Sequence, residues 1–430
     1  MRAASRLGLS LVVALSSAGG VVSSAHAKSK WKSKGQITLE GRVFSDDNNA
    51  LTVDQGLGLL GRVELRHRHR PFTEKARIFG RLDSQDFNRT ILVVEELWAE
   101  WDLGDLEIRV GADILNWTAT EAFHPADIIN ARNLDSDVES YEKIGEPMVA
   151  LSYDVGVGNI TAYFFPYYSE PIFPASSSRL AFIPPEVPVG EILRMSADGS
   201  LTDDRFGLQG AIRFIQSFGS VDLGLHVVHH LDRSQPEVLF DDSVGLPRPL
   251  FRTVTQFGGT YQHVIEGLIV KIEAGYRIFA KPENNETRFG SVEERDHLQV
   301  AVGLEYGWLV DDADVTLLLE GQAYLGVDDA VLPNLGVFQR DALFGTRISL
   351  NDTAGTELLV SGIVDLQNPD QILFNASWSR RILTGWTISA ALRMAFSQTA
   401  GVSQQGFQVP PVATTPVSSS PAFSKYPRSP

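Results

Sequence analysis

Along this chain, stretches of about ten residues recur in which apolar and polar side chains alternate one by one. Residues 35–44 set Ile37, Leu39 and Val43 against Gln36, Thr38, Glu40 and Arg42. Residues 61–68 put Arg62, Glu64, Arg66 and Arg68 on every second position, with Val63, Leu65 and His67 between them. The same rhythm returns at 75–84, 106–113, 220–230, 268–277, 297–306 and 386–396. A helix would scatter such charges around its axis, whereas a strand gathers them on one face. Helical periodicity is nearly absent. Ten residues is the length a tilted strand needs to cross a bilayer, and soluble sandwiches seldom need such strands in series. Short connections (102–105, 156–158, 216–219, 311–314, 351–355) alternate with long ones (114–146, 166–204, 231–251, 280–294, 325–340). Short turns on one side and long loops on the other predict an all-β fold, a transmembrane antiparallel up-and-down β-barrel. An open sheet edge in hydrocarbon would leave backbone groups unpaired, so the sheet is expected to close. The count expected is about 16 strands, within a range of about 14–18, because single-chain bacterial barrels have even numbers.

The N-terminus supplies the compartment. Arg2 and Arg6 flank the start of the apolar run 7–15, and Ala25-His26-Ala27 has the small-x-small form of a signal-peptidase site. Residues 1–27 read as a signal peptide, 28–34 as a short periplasmic segment, 35–396 as the barrel and 397–430 as a disordered Pro/Ser/Thr-rich tail. The expected location is the bacterial outer membrane. The chain has no cysteine, which removes disulfides and thiolate metal sites. Its net charge of −16 argues against nucleic acid as a partner.

If the polar parity faces inward, Arg62, Glu64, Arg66, Arg68, Arg77, Arg81, Glu96, Glu100, Arg109 and Asp113 line the interior. Cations bunch on the early strands and acids on the next two. Such a separation sets a transverse field across a pore, or else a ladder of Arg–carboxylate pairs that only fills it.

The least strand-like stretch, residues 109–134, leaves a strand, passes Asn116-Trp117 and runs through Phe123-His124-Pro125-Ala126-Asp127-Ile128-Ile129-Asn130. It resembles a family of porin-like outer-membrane barrels of Gram-negative bacteria that carry a strand, then W-G, then N-P-x-D-[IV]-[LI]-N-P-x-[DN]-L. The matches are Trp117, Pro125, Asp127, Ile128, Ile129, Asn130, Asn133 and Leu134; the departures are Thr118, His124 and Ala131. Read physically, the segment is an extracellular loop that folds inward. Pro125 with Asp127 and Asn130 suits a turn, and Trp117 offers a large anchor. Asn116, Trp117, Glu121, Asp127, Asn130 and Arg132 are the constriction-loop candidates.

No nucleophile, phosphate-loop or metalloprotease motif appears, so no enzyme and no cofactor are expected. His67 and His69 share a strand face as metal ligands can, but no third ligand adjoins them in sequence, so they read as interfacial residues and no metal is expected. Phe396 closes the last strand and resembles the terminal aromatic by which such proteins reach the barrel-assembly machinery. The expected function is passive diffusion of small polar or ionic solutes. The alternatives are an outer-membrane transporter of hydrophobic or lipid-like compounds, for which the apolar loop 170–195 speaks, and a structural barrel without transport. Outer-membrane lipid, the assembly machinery and small solutes are the partners this implies, with a homo-oligomer of the chain as an option.

Overall fold

The computed structural model describes residues 6–19, 25–26, 29–44, 51–136, 142–178, 180–181, 188–234, 236–241, 245–336 and 338–397. The expected disordered tail and the expected cleavage site after Ala27 lie outside these residues. The long strands are β1 (Arg6–Gly19), β2 (Ser29–Phe44), β3 (Gln55–His69), β4 (Phe72–Asp83), β5 (Ile91–Asp102) and β6 (Leu106–Asp113). They continue as β7 (Glu146–Asp154), β8 (Asn159–Tyr167), β9 (Phe206–Phe218), β10 (Val221–Leu231), β11 (Leu246–Ile265) and β12 (Leu268–Phe279). The rest are β13 (His297–Val310), β14 (Ala313–Leu325), β15 (Arg340–Leu350), β16 (Glu357–Asp365), β17 (Ile372–Leu383) and β18 (Trp386–Ser397).

From β2 to β18 each strand pairs antiparallel with the next, the up-and-down order expected of the alternating short and long connections. The count differs from the expected 16: 18 long strands sit in a sheet of 22, whose other members are short pieces within the loops. Residues 146–154 pair over 146–153 with β6 and over 149–154 with β8, and 357–383 hold two strands joined by a loop. β2 begins at Ser29 and so takes in residues expected to lie ahead of the sheet. The ladder returns on itself only through β1, which pairs with β18 on one side and β2 on the other. Between β18 and β2 no direct pairing occurs among the described residues.

The two faces invert the pattern of a soluble protein. Leu39, Leu59, Val63, Leu92, Ile212, Leu225 and Phe344 stand exposed on the outside. Glu40, Asp113, Gln256, Glu273, Arg277, Gln299 and Glu320 are buried on the inside. Aromatic residues divide between the faces: Trp98 and Tyr324 are buried, whereas Trp101, Tyr153, Tyr276 and Tyr306 are exposed. On the long-loop side the connections fold into a cap. Leu193–Met195 runs parallel to β11, Glu237–Asp241 pairs antiparallel with it, and Leu193, Met195, Leu239, Leu250 and Val292 form a small apolar cluster there.

Candidate functional site

After β6 the chain turns into the interior. Most of residues 115–135 are buried, Asn116 and Glu121 excepted, although they form no regular element beyond a two-residue strand. A buried loop must satisfy its own backbone groups. Here the wall does so with two carboxylates. Glu273 of β12 accepts from the Thr120 N–H at 2.9 Å, the Thr120 hydroxyl at 2.6 Å, the Ala119 N–H at 2.5 Å and the Ala126 N–H at 3.2 Å. Glu320 of β14 accepts from the N–H groups of Glu121 at 2.7 Å, Ala122 at 3.1 Å and Phe123 at 2.8 Å. Gln256 of β11 donates to the Pro125 carbonyl at 3.1 Å. Gly275 lies beside that contact, and a Cβ there would stand 3.0 Å from the same carbonyl, so the close approach uses the missing side chain.

The loop reaches from one wall to the other. Its first part packs Leu115, Trp117, Ile128 and Ile129 against Met148 and Ala150 of β7, Phe165 of β8, Ala211 of β9 and Val228 of β10. Its tip packs Phe123 against Ala301, Leu318, Leu343, Ile363, Leu373 and Ala395, which belong to β13 through β18. Trp117 is 1% exposed; its ring lies 5.1 Å from His226 and 5.6 Å from Tyr163, with the Arg213 guanidinium 4.8 Å over it.

The remaining loop candidates divide by role. Asn130 holds the loop to its own root, accepting from the Leu115 N–H and donating to the carbonyls of Asp113 and Ile144, each at 2.9 Å. Asp127 pairs with Arg132 at 3.1 Å and Lys143 at 2.6 Å. Burial works to raise the Asp127 carboxyl, and these cations outweigh it and hold it below the usual range. Glu121 points away from the clamp and pairs with Lys271 at 3.0 Å and Arg347 at 3.2 Å. Burial opposes its ionisation too, yet Lys271 keeps the carboxyl below its ordinary value. Asn116 is exposed and receives the Lys143 ammonium at 3.3 Å.

On the wall, the early cations and the later acids meet along a seam. Arg62 pairs with Glu95 at 2.7 Å, Arg77 with Glu95 at 2.8 Å and Glu96 at 3.3 Å, and Lys75 with Glu96. Glu64 lies 3.8 Å from Lys34 and 3.9 Å from Lys75. Arg109 takes both Glu100 and Asp113, with its guanidinium 4.3 Å over Trp98. Arg81 is buried under the loop, 3.3 Å from Glu142, and so lines no open space. Arg66 and Arg68 are exposed and have no ion-pair partner among the described residues. They stand directly opposite Lys32 and Lys30, which are exposed as well. The inner face is thus buried around Glu273 and His297 and exposed at Arg66 and Arg68 beside the short turns.

Sequence reasoning missed Glu95 and the clamping role of Glu273 and Glu320. A β-bulge between Arg77 and Ile78 on the β4–β5 ladder lets the consecutive Glu95 and Glu96 both face inward, which strict alternation hides. Phe396 lies at the long-loop end of β18, opposite Ile372.

No protein-family model matches the chain, and no curated protein sequence does. Among solved structures it is similar to the outer membrane channel DcaP of Acinetobacter baumannii, with a TM-score of 0.42 and 10% identity over 91% of this chain and 96% of that one. It is similar to the outer membrane protein OmpT of Vibrio cholerae in trimer form, with a TM-score of 0.42 and 8% identity over 91% and 98%. OmpF of Salmonella typhi, in complex with daunomycin, gives a TM-score of 0.36 and 8% identity over 91% and 96%. At this identity and overlap none of their activities transfers to the chain.

Proposed function

We propose that the chain is a porin-like channel of the bacterial outer membrane, carrying small ionic solutes past a loop that crosses its interior. The supporting observation is that loop itself: largely buried residues 115–135 join opposite walls, above a charged inner face that is exposed on the turn side. The outward apolar face supports a hydrocarbon surrounding, since such a surface in water would aggregate. On this reading a solute passes the loop beside Glu121, which pairs with Lys271 and Arg347.

The turn-side mouth favours anions. Two pairs of like charge, Lys30 with Arg68 and Lys32 with Arg66, face each other across β2 and β3. Like charges directly opposite repel, and an entering anion relieves them. Insertion as a single chain or as an assembly of copies, and delivery by the assembly machinery through Phe396, belong to this reading as further proposals.

Planar-bilayer recording of the refolded chain tests it. The expected result is discrete conductance steps with anion preference, and a shift of reversal potential towards cations in the Arg66→Glu, Arg68→Glu double variant. A bilayer that stays silent at saturating protein would make the chain a structural barrel and end the channel reading. Selectivity unmoved by the double variant would remove the turn-side cations from the permeation path.

A further inference from the structure

On the outer face, at the turn-side end of β3 and β4, the ladder supplies what the sequence lacked for His67 and His69. Glu74 stands directly opposite His67 in the β3–β4 register, and its carboxylate lies 3.0 Å from the His67 Nδ1. One ligand atom from each of His67, His69 and Glu74 falls within 4.8 Å of the others. We propose that these three residues form a binding site for a borderline divalent cation of the zinc, nickel or copper(II) class.

Three features carry the assignment. The donor set is two imidazoles and one carboxylate, which suits these metals rather than calcium or magnesium, and three protein ligands leave a position for water. His69 Nδ1 is buried and has no hydrogen-bond partner among the described residues. A buried polar atom without a partner costs free energy that a coordinate bond offsets. The two histidines are also held in place. Trp31 stacks on His67 at 4.1 Å and 10°, the His67 and His69 rings lie 4.5 Å apart, and Phe72 stacks on His69 at 5.3 Å. Rings fixed by packing lose little freedom on binding, so the order is already present before the ion arrives. The Glu74 side chain is 49% exposed, so the cation has a path from water.

The site faces away from the loop-crossed interior, and its test does not depend on conduction. A cation there joins β3 to β4 beside their turn and acts as a clip on the rim. The full refolded chain in detergent is titrated with zinc chloride by calorimetry. The expected result is saturable uptake of one zinc per chain, weakened by about tenfold or more in Glu74→Gln. That variant removes the charge but keeps an acceptor for His67, and far-UV circular dichroism checks that it folds. His67→Ala, His69→Ala is expected to abolish uptake, and His263→Ala, on a distant strand, to leave it unchanged. A copper(II) spectrum with two-nitrogen hyperfine structure in the wild type provides a readout that needs no variant. No zinc uptake by the wild type, or uptake undiminished in Glu74→Gln and the double histidine variant alike, overturns the proposal.

Discussion

At the scale of single residues, the interior is organised by buried carboxylates that serve backbone rather than solute. Glu273 is fully buried and serves the N–H groups of Ala119, Thr120 and Ala126. Glu273→Ala would strand those donors, each at about 1–3 kcal/mol when buried and unpaired. The expected outcome is destabilisation on the order of 3 kcal/mol in urea titration, with protease cleavage appearing in 114–136 while the strand spectrum stays intact. A conservative Glu273→Gln keeps an acceptor and is expected to lose less. Asp135, the last residue of the crossing segment, behaves differently. Burial pushes its carboxyl up to about 6, with the nearby Asp86 carboxyl adding to the rise and the Ser178 hydroxyl, at 2.7 Å, and Arg89 opposing it. A carboxyl raised above its ordinary 3.8 binds its proton more tightly folded than unfolded. Its contribution to stability is therefore full below about pH 4 and is lost as pH rises through about 6. Asp135→Asn is expected to flatten the fall in urea midpoint that the wild type shows between those two pH values. An equal fall in both proteins would count against the assignment.

Among the elements, the β5 bulge matters most. It turns one acidic position into two, so that Glu95 can hold both Arg62 and Arg77 while Glu96 takes Lys75. The residue just ahead of β7 rests on this bulge. Gly145 donates its N–H to the Val94 carbonyl at 3.2 Å, and a Cβ at Gly145 would stand 2.6 Å from the carbonyl oxygens of both Val94 and Glu95. Gly145→Ala forces one of two backbones to move, at about 1–3 kcal/mol. The expected result is a lower refolding yield, read as a smaller heat-shifted band on a gel, while Ala112→Gly on the neighbouring β6 leaves the yield nearly unchanged. The strands themselves were legible from the period of two, because each side chain's face follows from its position alone. The inward run of Trp117, Asp127 and Asn130 was legible too, since proline and capping residues mark a loop with local order. What alternation could not reveal is long-range: which wall carboxylate receives the loop, and where a bulge resets parity. Glu273 and Glu320 look like any other inward acid in sequence, and only the ladder brings them under Thr120 and Phe123.

For the whole molecule, the question is how the sheet closes. β2 and β18 are both antiparallel to β1, so they run parallel to each other. If the leader is removed after Ala27, an odd number of long strands remains, and closure requires a parallel seam between β2 and β18. Parallel pairing is geometrically sound, and a mitochondrial barrel of 19 strands shows that an odd count can close. Two exposed edges in hydrocarbon are not a stable alternative. The existing register indicates where the seam forms, because Val13 of β1 faces Gly41 of β2 and Ala390 of β18 at the same level. The absence of native cysteine makes the test clean. Adjacent strands lie about 4.8 Å apart, within reach of a disulfide, whereas strands separated by a third lie about 10 Å apart and beyond it. Chain extracted from outer membranes is expected to have an intact mass that begins at Lys28, and Gly41→Cys, Ala390→Cys is expected to cross-link on oxidation. A mass that retains residues 1–27, with no cross-link in this pair, would make β1 a permanent strand of the wall and would restore an even count of long strands.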